Sequence, residues 1–106
     1  MNELEHLLLD MIECEVDLDD LEAVEKVMTD AANELGVEIR EKMFHQFSPY
    51  GLTVIYVIAE SHISYHSWPE YNSAFVDVFA CSRISTKKSI EIFKKHLSRN
   101  TLLFGF

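Results

Sequence analysis

The chain has 106 residues, a length that fits one domain, and a formal net charge of −9 at pH 7. Apolar residues make up 48% of the sequence, which is enough for a packed core and argues against a disordered chain. The acidic balance argues against nucleic acid and anionic membranes as partners because both require basic surface, and no apolar run approaches membrane-spanning length.

The first third of the chain predicts a strand followed by a helix. Residues 6–14 form an apolar run that favours a short strand, although a Leu-rich run can also begin a helix. Asp19 or Asp20 can cap the helix that follows, because a carboxylate accepts hydrogen bonds from free backbone N–H groups at a helix start. Apolar positions then repeat at helical spacing as far as Leu35, and Gly36 lies where a C-terminal stop belongs.

The middle of the chain predicts three strands. Residues 37–47 alternate apolar and polar side chains, which is typical of a strand with one buried face. Residues 52–59 and 73–81 are apolar at nearly every position, which indicates central strands covered on both faces. Asp77 is the single charged residue that interrupts the second of these runs.

The last part predicts a second helix, opened by Ser85 or Thr86, and a final strand over residues 101–106. Two helices and four or five strands indicate a single α+β domain, a two-layer protomer with a mostly antiparallel sheet. Two helices cover only one face of such a sheet, whereas its central strands are apolar on both. We therefore expect a homodimer that packs sheet to sheet in layers α/β/β/α.

The two cysteines, Cys14 and Cys81, have no metal-binding spacing and do not suggest a disulfide framework. Free thiols fit a reducing compartment, and the acidic N-terminal segment does not resemble a signal peptide. We therefore expect a cytoplasmic protein.

Residues 60–70, ESHISYHSWPE, concentrate Ser, His and carboxylate side chains after an apolar strand. His62 and His66 have the spacing of a zinc-binding H-x-x-x-H pair, but that pair requires a helix, and Pro69 disfavours one. Ser61 with His66 suggests a hydrolase, but the G-x-S-x-G motif is absent. Residue types alone therefore favour a polar loop between two strands, with no metal.

The order of these residues carries more information than their types. ESHISYHSWPEYNSAFVDVFAC resembles the signature of the bacterial and archaeal S-adenosylmethionine decarboxylases, and the upstream FHQFSPYG resembles the same family. The matching features are Glu-Ser-His, a His five residues after the Ser, Trp-Pro-Glu-Tyr, and a Cys twenty residues after the Ser. The resemblance covers about residues 6–82.

The resemblance implies an enzyme that makes its own cofactor. Cleavage between Glu60 and Ser61 would yield chains 1–60 and 61–106, and Ser61 would become a pyruvoyl group. The pyruvoyl carbonyl takes the substrate's α-amine and accepts electrons when carbon dioxide leaves. His66 matches the family's histidine for proton transfer during cleavage, a role that suits an imidazole near neutral pH.

The resemblance also implies roles for four residues around this centre. Thr53 matches a hydroxyl residue that assists cleavage, and Cys81 matches the residue that returns a proton to the substrate's α-carbon. Glu70 matches the acid that holds the ribose hydroxyls, and Phe47 matches an aromatic that stacks on adenine near the sulfonium. Cys81 and Phe47 also have an ordinary structural alternative, since a free Cys or a Phe is commonly a core residue.

The sequence departs from the family pattern near the expected substrate pocket. An acid replaces a base before His6, and Ser82 replaces a glycine after Cys81. The resemblance therefore implies a decarboxylase of the small molecule S-adenosylmethionine, supplying spermidine synthesis, with two alternatives. One is a pyruvoyl-dependent arginine or ornithine decarboxylase of the same fold. The other is a homologue that does not cleave itself and acts as a binding subunit.

Overall fold

A computed structural model describes residues 4–12, 14, 17–59, 61–81, 86–97 and 100–103, and for residues 4, 5, 80, 81, 86 and 100–103 only the backbone. The elements in chain order are β1 (Leu4–Ile12), α1 (Leu21–Leu35), β2 (Ile39–Gln46), β3 (Leu52–Ile58), β4 (Ser61–Trp68), β5 (Ser73–Cys81), α2 (Thr86–His96) and β6 (Asn100–Leu103). A short 3₁₀ turn, Pro69–Tyr71, joins β4 to β5.

The described strands form one six-stranded sheet in the order β2-β3-β4-β5-β1-β6, and every neighbouring pair is antiparallel. Helix α1 contacts β3 and α2 contacts β1, and the two helices also pack on each other. The prediction of an α+β fold with two layers and an antiparallel sheet is confirmed. Among the described residues, neither helix is long and apolar enough to cross a membrane.

Helix α1 begins and ends where the sequence predicts. The Asp20 side chain accepts hydrogen bonds from the backbone N–H groups of Glu22 and Ala23, at 3.0 and 3.3 Å. Gly36 ends the helix in the left-handed conformation, with φ of 76°, which a residue without Cβ adopts at little cost. The helix buries an apolar stripe against the sheet, formed by Val24, Val27, Met28, Ala31 and Ala32.

The sheet has two unlike faces because successive side chains of a strand point to opposite sides. On the helix-covered face, alternate residues of β1, β3, β4 and β5 form a largely apolar core that includes Leu9, Tyr56 and Tyr65. The other side of the sheet, which we call the open face, is only partly covered within one chain. It carries Leu8, Thr53, Ile55, Val57, His62, Ser64, His66, Phe75, Asp77 and Phe79.

The prediction of a polar loop over residues 60–70 is wrong, because most of this segment is strand β4. Ile63 and Tyr65 are buried under the helices, while His62 and His66 alternate with them onto the open face. Polar side chains are tolerated there because that face is only partly buried within the chain and Ser64 is hydrogen-bonded to Asp77. The sheet consequently has six described strands, one more than the upper estimate; residues 104–106 of the predicted last strand lie outside the described part.

Candidate active site

A cavity of about 410 Å³ lies at the end of the sheet where β2 turns into β3. Two hydrogen bonds shape this turn: the Phe47 N–H donates to the Gly51 carbonyl at 2.7 Å, and the Gly51 N–H donates to the Asp19 carboxylate at 2.7 Å. Gly51 has a φ of 114°, which residues with a Cβ rarely adopt. The cavity is lined by Phe47, Tyr50, Gly51, Leu52, Thr53, His66, Ser67, Trp68 and Glu70.

Thr53 and His66 form a hydrogen-bonded pair in the wall of this cavity. They lie opposite each other on β3 and β4, and Thr53 Oγ1 is 3.0 Å from His66 Nδ1. Burial lowers the pKa of His66 below its ordinary value of 6.5, and the Asp77 carboxylate opposes this shift only in part. The lowered pKa favours the neutral imidazole, which is able to accept a proton.

Ser61 lies at the opposite end of β4, next to the turn that joins it to β3. It pairs with Ile58, and the Ala59 N–H donates to the Glu38 carbonyl at 3.0 Å, which ties the turn to the chain before β2. Ser61 is partly exposed. Glu60, the other residue of the predicted cleavage site, lies outside the described residues.

Cys81 is the last residue of β5, where its backbone pairs with Leu4; its side chain lies outside the described part. Because His62 pairs with Phe79 on the neighbouring strands, Ser61 and Cys81 belong to the same end of the sheet. The predicted proton donor and the predicted cleavage residue therefore lie on adjacent strands.

The predicted site residues fall into two groups at opposite ends of β4. Phe47, Thr53, His66 and Glu70 line the cavity, whereas Ser61 is five residues along the strand from His66. Five residues of extended chain span about 16 Å. His66 therefore does not reach Ser61 of its own chain, a separation that the linear motif does not reveal.

Sequence reasoning missed a third group, centred on Asp77. This carboxylate accepts hydrogen bonds from His62 Nε2 at 3.0 Å and from Ser64 Oγ at 3.1 Å, and it also bonds His6 Nε2. Burial raises the pKa of Asp77, but the hydrogen bonds from His62, His6 and Ser64 outweigh burial and hold it below 3.8. The sequence signal was the lone charge in an otherwise apolar strand.

The family model for S-adenosylmethionine decarboxylase matches residues 5–103 of this chain. The chain belongs to the S-adenosylmethionine decarboxylase family. The match covers all three groups of residues described above, and it confirms the resemblance found in the sequence.

Curated members of the S-adenosylmethionine decarboxylase family agree with this assignment. The S-adenosylmethionine decarboxylase proenzyme of Pelotomaculum thermopropionicum is 49% identical over 77 residues, which are 72% of this chain and 61% of that protein. The proenzyme of the same name from Clostridium kluyveri is 45% identical over 83 residues, which are 76% of this chain and 66% of that protein. The match thus spans slightly less than two thirds of the length of these relatives.

A solved structure of the S-adenosylmethionine decarboxylase family has the same fold. The crystal structure of the adenosylmethionine decarboxylase from Aquifex aeolicus superimposes with a TM-score of 0.83 at 25% sequence identity. The superposition covers 97% of this chain and 88% of that one.

Proposed function

We propose that this chain cleaves itself between Glu60 and Ser61 and uses the resulting pyruvoyl group to decarboxylate S-adenosylmethionine. The observation that carries the proposal is the convergence of four motif residues, Phe47, Thr53, His66 and Glu70, on one cavity. Relatives at 45–49% identity bear the name S-adenosylmethionine decarboxylase proenzyme, which supports both the cleavage and the substrate.

Cleavage needs a nucleophile, a base and one water molecule. The Ser61 hydroxyl attacks the Glu60 carbonyl carbon and converts the peptide bond into an ester. Removal of the Ser61 α-proton then expels the Glu60 carboxylate by β-elimination, which leaves dehydroalanine at position 61. Water hydrolyses this residue, after its tautomerisation to the imine, to a pyruvoyl group and releases ammonia. A partly exposed Ser61 beside a turn is open to water, as the last step requires.

A neutral imidazole suits the proton transfers of this sequence. The lowered pKa favours the unprotonated form of His66, and the bond to Thr53 fixes the orientation of its ring. When formed, the pyruvoyl group supplies a carbonyl that takes the substrate's α-amine and accepts the electrons of the cleaved bond. We assign the return of a proton to the substrate's α-carbon to Cys81, the residue on the strand beside Ser61.

The separation of Ser61 from His66 points to a homodimer in which each site uses both chains. Packing two open faces about a twofold axis would bring the Thr53–His66 pair of one chain close to the end of β4 in the other chain where Ser61 lies. The open face is suited to such packing because it presents several partly exposed apolar side chains, namely Leu8, Ile55, Val57, Phe75 and Phe79.

Mixing two inactive variants tests this shared site. Ser61→Ala is expected to stay intact and His66→Ala to cleave very slowly when each is purified alone. In a co-expressed mixture, the His66→Ala chain should be cleaved, because its Ser61 meets the His66 of the other chain. If heterodimers form and that chain still remains intact, His66 does not act across the interface.

The cavity favours S-adenosylmethionine over a simpler amino acid. Its volume of about 410 Å³ lies within the range of small-molecule sites. Phe47, Tyr50 and Trp68 offer aromatic faces for a purine and for the sulfonium cation, and Phe47 and Trp68 are 51% and 46% exposed. Glu70 lies beside them as the acceptor for a ribose diol.

Release of labelled carbon dioxide from S-adenosylmethionine, arginine and ornithine tests the substrate. We expect release from the first alone, and a moderate loss of kcat/KM in Glu70→Gln, since an amide still accepts one hydrogen bond. Arginine or ornithine would instead need Glu70 as a countercharge, and Glu70→Gln would then abolish turnover. Release from arginine or ornithine alone would overturn the substrate but leave self-cleavage standing.

A further inference from the structure

Three metal-ligating side chains meet on the open face, away from the cavity. His6 comes from β1, His62 from β4 and Asp77 from β5, and one ligand atom of each lies within 4.8 Å of the other two. Both imidazoles present Nε2 to the same carboxylate, one to each oxygen. Side chains from three neighbouring strands thus meet at one point.

Surrounding contacts hold these three side chains in place. Ser64 donates to Asp77 Oδ2 at 3.1 Å, which fixes the carboxylate. The Phe79 ring lies 5.3 Å from the ring of His6 and 5.8 Å from that of His62, measured between centroids. Within one chain, the side chains of His6 and His62 are 45% and 38% exposed, so the chain itself does not shield the group.

We infer that His6, His62 and Asp77 form a binding site for a divalent transition-metal ion of the zinc class. Two imidazole nitrogens and one carboxylate oxygen are a ligand set that Zn²⁺ and Co²⁺ accept, whereas Mg²⁺ and Ca²⁺ prefer oxygen ligands throughout. Within the described part of the chain, the cluster includes no fourth His, Cys, Asp or Glu. A four-coordinate ion has one further coordination position, which water or a small ligand can fill.

Metal binding would replace two hydrogen bonds by coordination bonds. An ionised carboxylate only accepts hydrogen bonds, so each imidazole donates its Nε2 proton to Asp77 in the metal-free chain. Coordination requires a free electron pair at each Nε2, and the proton can move to Nδ1 in the other neutral tautomer. The ion would then lie among the three ligand atoms, with Ser64 still orienting the carboxylate.

This site differs from the H-x-x-x-H pair in the sequence. His62 and His66 share the open face, but four residues of strand separate them by about 13 Å, too far for one ion. The partners of His62 come from other strands instead. The metal site uses no residue of the cavity and does not depend on self-cleavage or on the substrate.

Titration of the chelator-treated full chain with Zn²⁺ and Co²⁺ at neutral pH tests the inference. We expect one ion per chain and a higher melting temperature with Zn²⁺. Bound Co²⁺ should show the visible absorption band that is typical of an ion with few ligands. His62→Ala and Asp77→Asn should abolish stoichiometric binding, and Ser64→Ala should weaken it about 10- to 100-fold. His66→Ala, on the same strand and face, is the matched control and should bind normally.

Two results would overturn the inference: no saturable binding by the wild-type chain, or unchanged binding by His62→Ala. Proton NMR of the wild-type chain provides a test that needs no variant. Added Zn²⁺ should shift the ring signals of His6 and His62 and leave that of His96, which pairs with Glu34 on the helices, in place. Equal shifts of all three signals would mean unspecific binding to surface histidines.

Discussion

The two faces of the sheet are built from the same strands but hold different kinds of residues. On the helix-covered face, Leu9, Val54 and Tyr65 are fully buried and apolar or hydrogen-bonded. On the open face, Thr53 and His66 are only partly buried and form polar pairs. One strand position thus separates a residue that stabilises the fold from one available for chemistry. Substitutions one residue apart should therefore have different effects.

The largest expected effect belongs to His66→Ala. Loss of a proton-transfer group should slow self-cleavage about 10²- to 10⁴-fold, measured by mass spectrometry of the fragments over time. The free energy of unfolding should change little, because the ring fills a partly open wall. His96→Ala, on the helix side, should cleave at the wild-type rate. Equal rates for both variants would remove His66 from the mechanism.

Leu9→Ala should lower the free energy of unfolding by about 2–5 kcal/mol, because it leaves a hole in a fully buried core. Leu8→Ala, its neighbour on the open face, should cost less, because Leu8 is only partly buried within one chain and makes its remaining contacts in the proposed homodimer. Urea unfolding of both proteins in the Ser61→Ala background, which keeps one uncleaved chain, measures the difference. Similar losses would mean that the open face is as tightly packed as the core.

Thr53→Val keeps the shape of the side chain but removes its hydrogen bond to His66. Loss of one hydrogen bond should slow self-cleavage about tenfold. Thr53→Ser retains the hydroxyl and should cleave close to the wild-type rate. A slow Thr53→Ser chain would indicate that the methyl group, rather than the hydroxyl, matters at this position.

The smallest effect is expected for Asp20→Ala, which removes the cap of α1 and should cost about 1 kcal/mol of stability. Asp20 belongs to the helix layer, so the rate of self-cleavage should stay unchanged. A loss of cleavage without a loss of stability would show that the two layers are coupled.

The sequence predicts those parts of the fold that depend on residues close together in the chain. The boundaries of α1 follow from Asp20 and Gly36, which act through neighbouring residues alone. Strand β4 was missed because its polar side chains are acceptable only on a face that the helices leave open, and this depends on the partner strands β3 and β5.

The sequence predicts which residues belong to the candidate site but not where they lie relative to one another. The motif contains both Ser61 and His66, but it does not give the distance between their side chains. The five residues of strand from one to the other keep them apart. Asp77 was missed because its partners His6 and His62 lie 71 and 15 residues away in the sequence. Only strand pairing brings such distant positions onto one face.

The intact mass of the purified wild-type chain tests the central claim, self-cleavage at Ser61, most directly. We expect two fragments, residues 1–60 and residues 61–106, the second with a blocked N-terminus that reacts as a carbonyl. Ser61→Ala should give one mass, and Ser73→Ala should give the two fragments. A wild-type chain that keeps its full mass after long incubation, with no reactive carbonyl, would contradict the account.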